Sequence, residues 1–138
     1  VGACVLSRAL MQNSQEGFSG RYYGTDIDTT AGKLLVEPLT EYGEILFGDS
    51  IKTLTDMNEK IDLFINDSDH SAEYEMQEYL VVKDKLTPNA ILLGDNSHIT
   101  DKLAIFSQEA NRNFIFINEK PRNHWYPGAG IGISFPKK

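Results

Sequence analysis

IDLFINDSDH, residues 61–70, is the stretch whose reading decides the fold. Residues 61–66 are almost continuously apolar and β-branched or aromatic, the pattern of a strand buried on both faces. The run passes straight into Asp67-Ser68-Asp69-His70. Residues 72–86 then carry Tyr79, Leu80, Val82 and Leu86 at spacings that predict a long helix. Pro88-Asn89 reads as a turn, and AILLG at 90–94 as a second short buried strand, ending at Asp95-Asn96. Strand, helix and strand in that order predict a parallel pair with a right-handed crossover.

The same alternation extends outward. Upstream, residues 3–13 place Val5, Leu6, Ala9 and Leu10 on one helical face, and Gly17 and Gly20 end that helix. RYYGT at 21–25 reads as a strand closing on Asp26-Ile27-Asp28. Residues 29–36 are helix-like, with Pro38 interrupting them. GEILF at 43–47 is a strand ending at Gly48-Asp49-Ser50, and 51–57 a short helix with Ile51 and Leu54 inward. Downstream, 100–111 is a helix, and NFIFIN at 113–118 and AGIGISF at 129–135 are strands. The loop between these two is rich in Pro, His and Trp. The expectation is one α/β domain over residues 1–138, with a doubly wound, mostly parallel sheet covered on both faces and a closing antiparallel strand pair.

Bulk properties narrow the function. At 138 residues the chain has the size of one domain, and 41% hydrophobic residues suits a globular protein. No run approaches the roughly 18 apolar residues of a membrane span, so no membrane partner is expected. Arg8 inside the first apolar stretch, without a basic leader before it, argues against a signal peptide. Cys4 is the only cysteine, so a reducing, cytoplasmic setting is expected. A formal net charge of −7 makes nucleic acid an unexpected partner, because phosphate binding needs a basic footprint. The chain begins with Val1 and enters a helical pattern at once, which reads as a fragment or a processed chain.

Chemistry collects where strands end. Asp26/Asp28, Asp49, Asp67/Asp69 and Asp95 each close a strand. In an open parallel sheet the carboxyl ends of the strands border the ligand crevice. Taken singly, each acid is also a good helix cap. Asp26, nearest its strand, can accept from both hydroxyls of a ribose. Asp49 can accept from an exocyclic amine of adenine, with Ser50 in support. Asp67 and Asp95 lie 28 positions apart, one strand–helix–strand unit, so their carboxylates and the Asn96 amide oxygen are expected to converge. Such hard oxygen donors suit Mg²⁺ or Ca²⁺. His70, at a helix start beside these acids, is a candidate general base for a substrate hydroxyl. His98 and His124 read as loop residues within reach of a substrate, the latter beside Trp125 and Tyr126.

IDLFINDSDHSAEYE, with its Asp-x-Asp-His step, resembles the fourth-strand motif of class I S-adenosylmethionine-dependent methyltransferases of the small-molecule type. YYGTDID is similar to their second-strand motif, ILFGDS to the third and AILLGDN to the fifth, while NFIFIN and GIGISF resemble the final reversed pair. The likeness spans about residues 3–135. It implies a Rossmann-like fold that here lacks its first, mid-sheet strand and most of the glycine-rich turn after it. Val1-Gly2-Ala3 would be the tail of that turn, with Gly2 allowing close backbone approach. The resemblance further implies S-adenosylmethionine bound along Gly2, Asp26, Gly48, Asp49, Ser50 and Asp67. Asp67, Asp95 and Asn96 resemble the divalent-cation set of catechol-type and caffeoyl-coenzyme A-type O-methyltransferases. Asp67 to His70 is similar to a step in macrolide-sugar O-methyltransferases, which implies His70 and Asp67 as catalytic residues. The reaction implied is methyl transfer to a hydroxyl of a small-molecule acceptor, assisted by a divalent cation. Asn89-Ala90 departs from the Gly pair that many relatives carry before the fifth strand.

Two other readings compete. A metal-dependent nucleotide-sugar glycosyltransferase would use Asp67-Ser68-Asp69, but leaves Asp26, Asp49 and Asp95-Asn96 without a role. A degenerate Rossmann-like module would bind a partner without catalysis. A nicotinamide dehydrogenase is weaker, since no glycine fingerprint is visible. Whether the chain forms a homodimer stays open.

Overall fold

Residues 1–69, 71–125 and 128–138 are described by the computed structural model, in two compact units, Val1–Asp56 and Met57–Lys138. His70, Tyr126 and Pro127 lie outside the described residues.

The first unit runs α1 (Gly2–Gln15), β1 (Tyr22–Asp26), β2 (Gly43–Phe47) and α2 (Ser50–Asp56). Beyond α1, Gly17 takes φ +89°, and the Gly17 and Phe18 N–H groups close on the carbonyls of Ser14 and Asn13. The buried side of α1 differs from the expected one. Leu6, Ser7 and Leu10 turn inward while Val5 is exposed. Val5 sits about 100° around the helix from Leu6, so the i, i+3, i+4 stripe excludes it. Ser7 packs against Gly43, where any Cβ would collide with the Ser7 hydroxyl. Strands β1 and β2 pair in parallel, from Tyr22 opposite Gly43 to Asp26 opposite Phe47. The helix expected over 29–36 does not form; residues 29–34 are turns. Asp28 Oδ1 accepts from the Thr30 N–H at 2.8 Å, and Gly32 takes φ +74°. Both conformations compete with a helix and win over a weak apolar periodicity.

The second unit runs β3 (Ile61–Asn66), α3 (Ala72–Val82), β4 (Leu86–Gly94), α4 (Lys102–Glu109), β5 (Arg112–Asn118) and β6 (Gly130–Pro136). Its sheet has the order β3-β4-β6-β5. β3 and β4 are parallel, and β6 is antiparallel to both β4 and β5. The expected closing antiparallel pair is therefore present. Pro88-Asn89 is not a turn but part of β4. Ile61 faces Leu86 whereas Leu63 already faces Ile91, so the extra β4 residues bulge out between them. Pro, which cannot donate to a ladder, is tolerated there. The helix expected to reach residue 86 stops at Val82 and tightens into a 3-10 turn over Lys83–Lys85.

Tyr79, Leu92, Leu103 and Phe106 form the buried cluster of this unit, with Phe64, Met76 and Phe114 packed against it. Leu80 is half exposed. The register puts Leu63, Ile65, Ile91, Ile115, Ile117 and Ile131 on the opposite face of the sheet, and these are 41–54% exposed. Within the second unit, α3 and α4 pack through Tyr79 and Phe106 on the Phe64–Leu92 face of the four-stranded sheet. The strands form a two-stranded and a four-stranded sheet, and no described strand joins them.

Candidate functional site

In the first unit the parallel pairing carries two predicted residues to one strand edge. Asp26 is the last residue of β1, and its carbonyl accepts the Gly48 N–H at 2.9 Å. Gly48, directly after β2, takes φ +137°, a backbone conformation reserved for glycine. A Cβ there would meet only the Thr53 hydroxyl, at 3.8 Å. The backbone of the β2–α2 turn is therefore open at this rim. Asp26 Oδ1 accepts from the Asp28 N–H at 2.8 Å, which fixes the carboxylate; no hydrogen bond to its Oδ2 occurs among the described residues. Asp28 is occupied by both the N–H and the hydroxyl of Thr30, and these hydrogen bonds hold its carboxyl below the ordinary range. That separates the two candidates: among the described residues Asp26 keeps one carboxylate oxygen without a hydrogen bond, whereas both oxygens of Asp28 accept from Thr30. Tyr22, half buried on the same strand, has its phenol pushed up by burial and then by the Asp26 charge. Asp49 caps α2, with Oδ1 accepting from the Lys52 N–H at 2.8 Å. Ser50 is buried as the first residue of that helix. Gly2 is the exposed first residue of α1, and a Cβ there would meet nothing.

In the second unit the β3–β4 pairing joins the other predicted acids. Asn66 lies opposite Gly94, and the Asp95 N–H donates to the Asn66 carbonyl at 2.9 Å. Asp67 and Asp95 therefore follow adjacent parallel strands at the same end. Asn96 sits at φ +49°, a left-handed position that Asn tolerates. Its Nδ2 donates to Asp95 Oδ2 at 2.6 Å. Asp69 Oδ1 accepts from the Ser71 N–H at 2.8 Å, so Asp69 serves the entry of α3. The expected role of His70 falls outside the described residues. His124 contacts Trp125 at 5.4 Å between ring centroids, and Trp125 is 87% exposed.

Two features escaped the sequence reading. The first is an open cleft of about 600 Å³ between the start of α3, the loop after β4 and β5. Ala72, Ser97, His98, Thr100, Lys102 and Phe114 line it, mixing apolar walls with donors. The second is a pair of buried acids on α3. Glu78 Oε2 accepts from Asn66 Nδ2 at 2.5 Å and from the Ser68 hydroxyl. Glu75 accepts from the Tyr79 phenol at 2.8 Å and from the Thr100 hydroxyl. Burial and then the Glu75 hydrogen bond push the Tyr79 phenol far up, so it stays neutral and donates. No sequence signal separated these glutamates from a solvated helix face.

Residues 1–97 match the family described as a methyltransferase domain. No curated protein sequence matches the chain. Among solved structures, an O-methyltransferase from Bacillus cereus in complex with SAH superposes with a TM-score of 0.70 at 14% identity, covering 88% of this chain and 66% of that one. The O-methyltransferase TomG from Streptomyces achromogenes, involved in tomaymycin synthesis and in complex with SAM, gives 0.68 at 12% identity, covering 86% and 63%. An rRNA methylase from Streptococcus thermophilus gives 0.60 at 15% identity, covering 88% and 76%. At these identities the likeness concerns the fold, which is the Rossmann-like architecture expected. The chain spans just under two thirds of the length of both O-methyltransferases.

Proposed function

Because the chain belongs to the methyltransferase-domain family, we propose that it carries the greater part of one such domain and serves methyl transfer from S-adenosylmethionine to a hydroxyl of a small molecule. The family match crosses the division between the two units at Asp56, which supports reading both as one domain. It also displaces the glycosyltransferase reading. The acidic chain, with its net charge of −7, favours a small acceptor over RNA, the substrate class of the rRNA methylase from Streptococcus thermophilus. A cytoplasmic setting fits a single cysteine; no described helix is long and apolar enough to cross a membrane.

The observation that carries the proposal is the rim at the end of β1 and β2. There Asp26 is fixed by one oxygen and offers the other, beside an open Gly48 backbone. This arrangement fits the ribose of a nucleoside, with Asp49 and Ser50 at the adenine. Bound S-adenosylmethionine would supply a methyl group on a positively charged sulfur. The chain's own residues do the rest. Asp67, after β3, would orient the acceptor hydroxyl, and His70 would take its proton as the oxygen–methyl bond forms and the sulfur–methyl bond breaks.

The cation set fits less well. Asn96 turns its amide N–H toward Asp95, where a metal ligand would present the oxygen. Chelation of divalent cations should leave turnover unchanged.

Calorimetric titration of the complete protein tests the proposal. S-adenosylhomocysteine should bind and a nucleoside-diphosphate sugar should not. Asp26→Ala should weaken that binding about 10- to 100-fold, the worth of charge-assisted hydrogen bonds. Equal affinity of the variant would remove Asp26 from the site.

A further inference from the structure

Helix α3 turns Glu75, Glu78, Tyr79 and Val82 inward, at positions i, i+3, i+4 and i+7. A helix face buried against a sheet is ordinarily apolar. Here two of the four positions are glutamates, 5% and 2% exposed. Burying a carboxylate is unfavourable unless hydrogen bonds replace the lost water. Donors among the described residues include Asn66, Ser68, Tyr79 and Thr100.

The identity of the donors shows what these acids hold. Asn66 and Ser68 are the residues immediately before and after Asp67. A single oxygen of Glu78 grips both, so the chain on either side of Asp67 is tied to one point of α3. Thr100 belongs to the loop that follows Asp95-Asn96 and lines the cleft. Glu75 ties that loop to the same helix, one turn earlier. The two loop starts are also joined directly by the Asp95 N–H and the Asn66 carbonyl. Loops that carry reactive groups are otherwise the mobile parts of a fold. Side chains locked by packing and hydrogen bonds are what hold such groups in productive geometry.

We propose that Glu78 and Glu75 are positioning residues, clamping the Asp67 loop and the cleft-lining loop, respectively, to α3. Their importance for methyl transfer rests on the function proposed above; the clamp itself does not. The test uses the complete protein, with hydrogen exchange followed by mass spectrometry and S-adenosylhomocysteine as the calorimetric probe. Glu78→Met keeps the length and removes the acceptor. Exchange should accelerate roughly tenfold or more at residues 67–71 while β4 and α4 keep their protection. Affinity for S-adenosylhomocysteine should fall about tenfold. Glu78→Gln, whose amide oxygen can accept from both Asn66 and Ser68, should restore most of both. Ser68→Ala removes one of the two bonds from an exposed position and should give a smaller rise in the same segment, even if Glu78→Met does not fold. Glu75→Met should loosen residues 97–101 instead. Unchanged exchange at 67–71 in both Glu78→Met and Ser68→Ala would overturn the clamp. Acceleration spread evenly through β3, β4 and α4 would reduce Glu78 to an ordinary core residue. If the parent protein binds no S-adenosylhomocysteine but the local acceleration appears, the clamp stands and the proposed function falls.

Discussion

The strand pairs β1–β2 and β3–β4 are built alike and held differently. Each is parallel, and each delivers acids to the carboxyl ends of its strands: Asp26 and Asp49 in one, Asp67 and Asp95 in the other. In Met57–Lys138 the pair is extended by β6 and β5 and backed by Tyr79, Leu92, Leu103 and Phe106, each no more than 1% exposed. In Val1–Asp56, Leu54 is the one buried apolar side chain among the described residues. The acids follow the same division. Asp26 and Asp49 are fixed by backbone N–H groups two and three residues on, the local chemistry of turns and caps. The Asp67 loop is fixed by Glu78, ten or more residues away on another element. On the proposed function, recognition of a nucleoside would need only turn chemistry, whereas placement of a reacting group would draw on a packed core.

The sharpest way to break that contrast is at the acids themselves. Asp67→Ala should reduce methyl transfer by about 10²–10⁴-fold while circular dichroism stays that of the parent. Retained turnover would make Asp67 a structural residue. Next in size is the core. Phe106→Ala should destabilise the Met57–Lys138 unit by about 3–5 kcal/mol, read as faster exchange of the β4 and β6 amides. A small loss would mean that the cluster is not what holds this sheet.

The contrast also has a pH signature. The Tyr79 phenol is raised above its unfolded value, so its contribution is complete below about pH 10 and is lost as pH climbs toward the folded value. Denaturation midpoints should fall above about pH 10, by up to about 1.4 kcal/mol per pH unit from this group. In Tyr79→Phe that part of the slope should vanish. The smallest effect belongs to the first unit. Ser7 is fully buried, and its hydroxyl has no partner among the described residues. Ser7→Ala should stabilise Val1–Asp56 by about 1 kcal/mol, seen as a higher urea midpoint, because it removes an unpaired polar group without opening a cavity. Destabilisation would show that the hydroxyl is engaged.

Much of this was legible in the residues because strands declare themselves locally. GEILF and IDLFIN form strands over the residues read from their apolar runs, and the positions of Asp49 and Asp67 follow from those boundaries. What failed depended on competition or on distance. The segment 29–36 had a weak apolar period, and an Asp28–Thr30 turn and a positive-φ Gly32 outweighed it. Pro88-Asn89 carries turn residues, yet the bulge lets the strand run through them. The exposed sheet face was hidden because Ile65, Ile117 and Ile131 read as core in any strand pattern, whatever covers them. The buried glutamates were the least legible. Charged residues on a helix ordinarily face solvent, and only the three-dimensional placement of Asn66, Ser68 and Thr100 reveals the donors that let them turn inward.

A crystal structure of the complete protein soaked with S-adenosylhomocysteine tests the account most directly. The Asp26 carboxylate should accept from both ribose hydroxyls at about 2.6–3.2 Å, with the adenine beside Gly48, Asp49 and Ser50. A nucleoside bound away from the end of β1, with Asp26 still facing solvent, would contradict it.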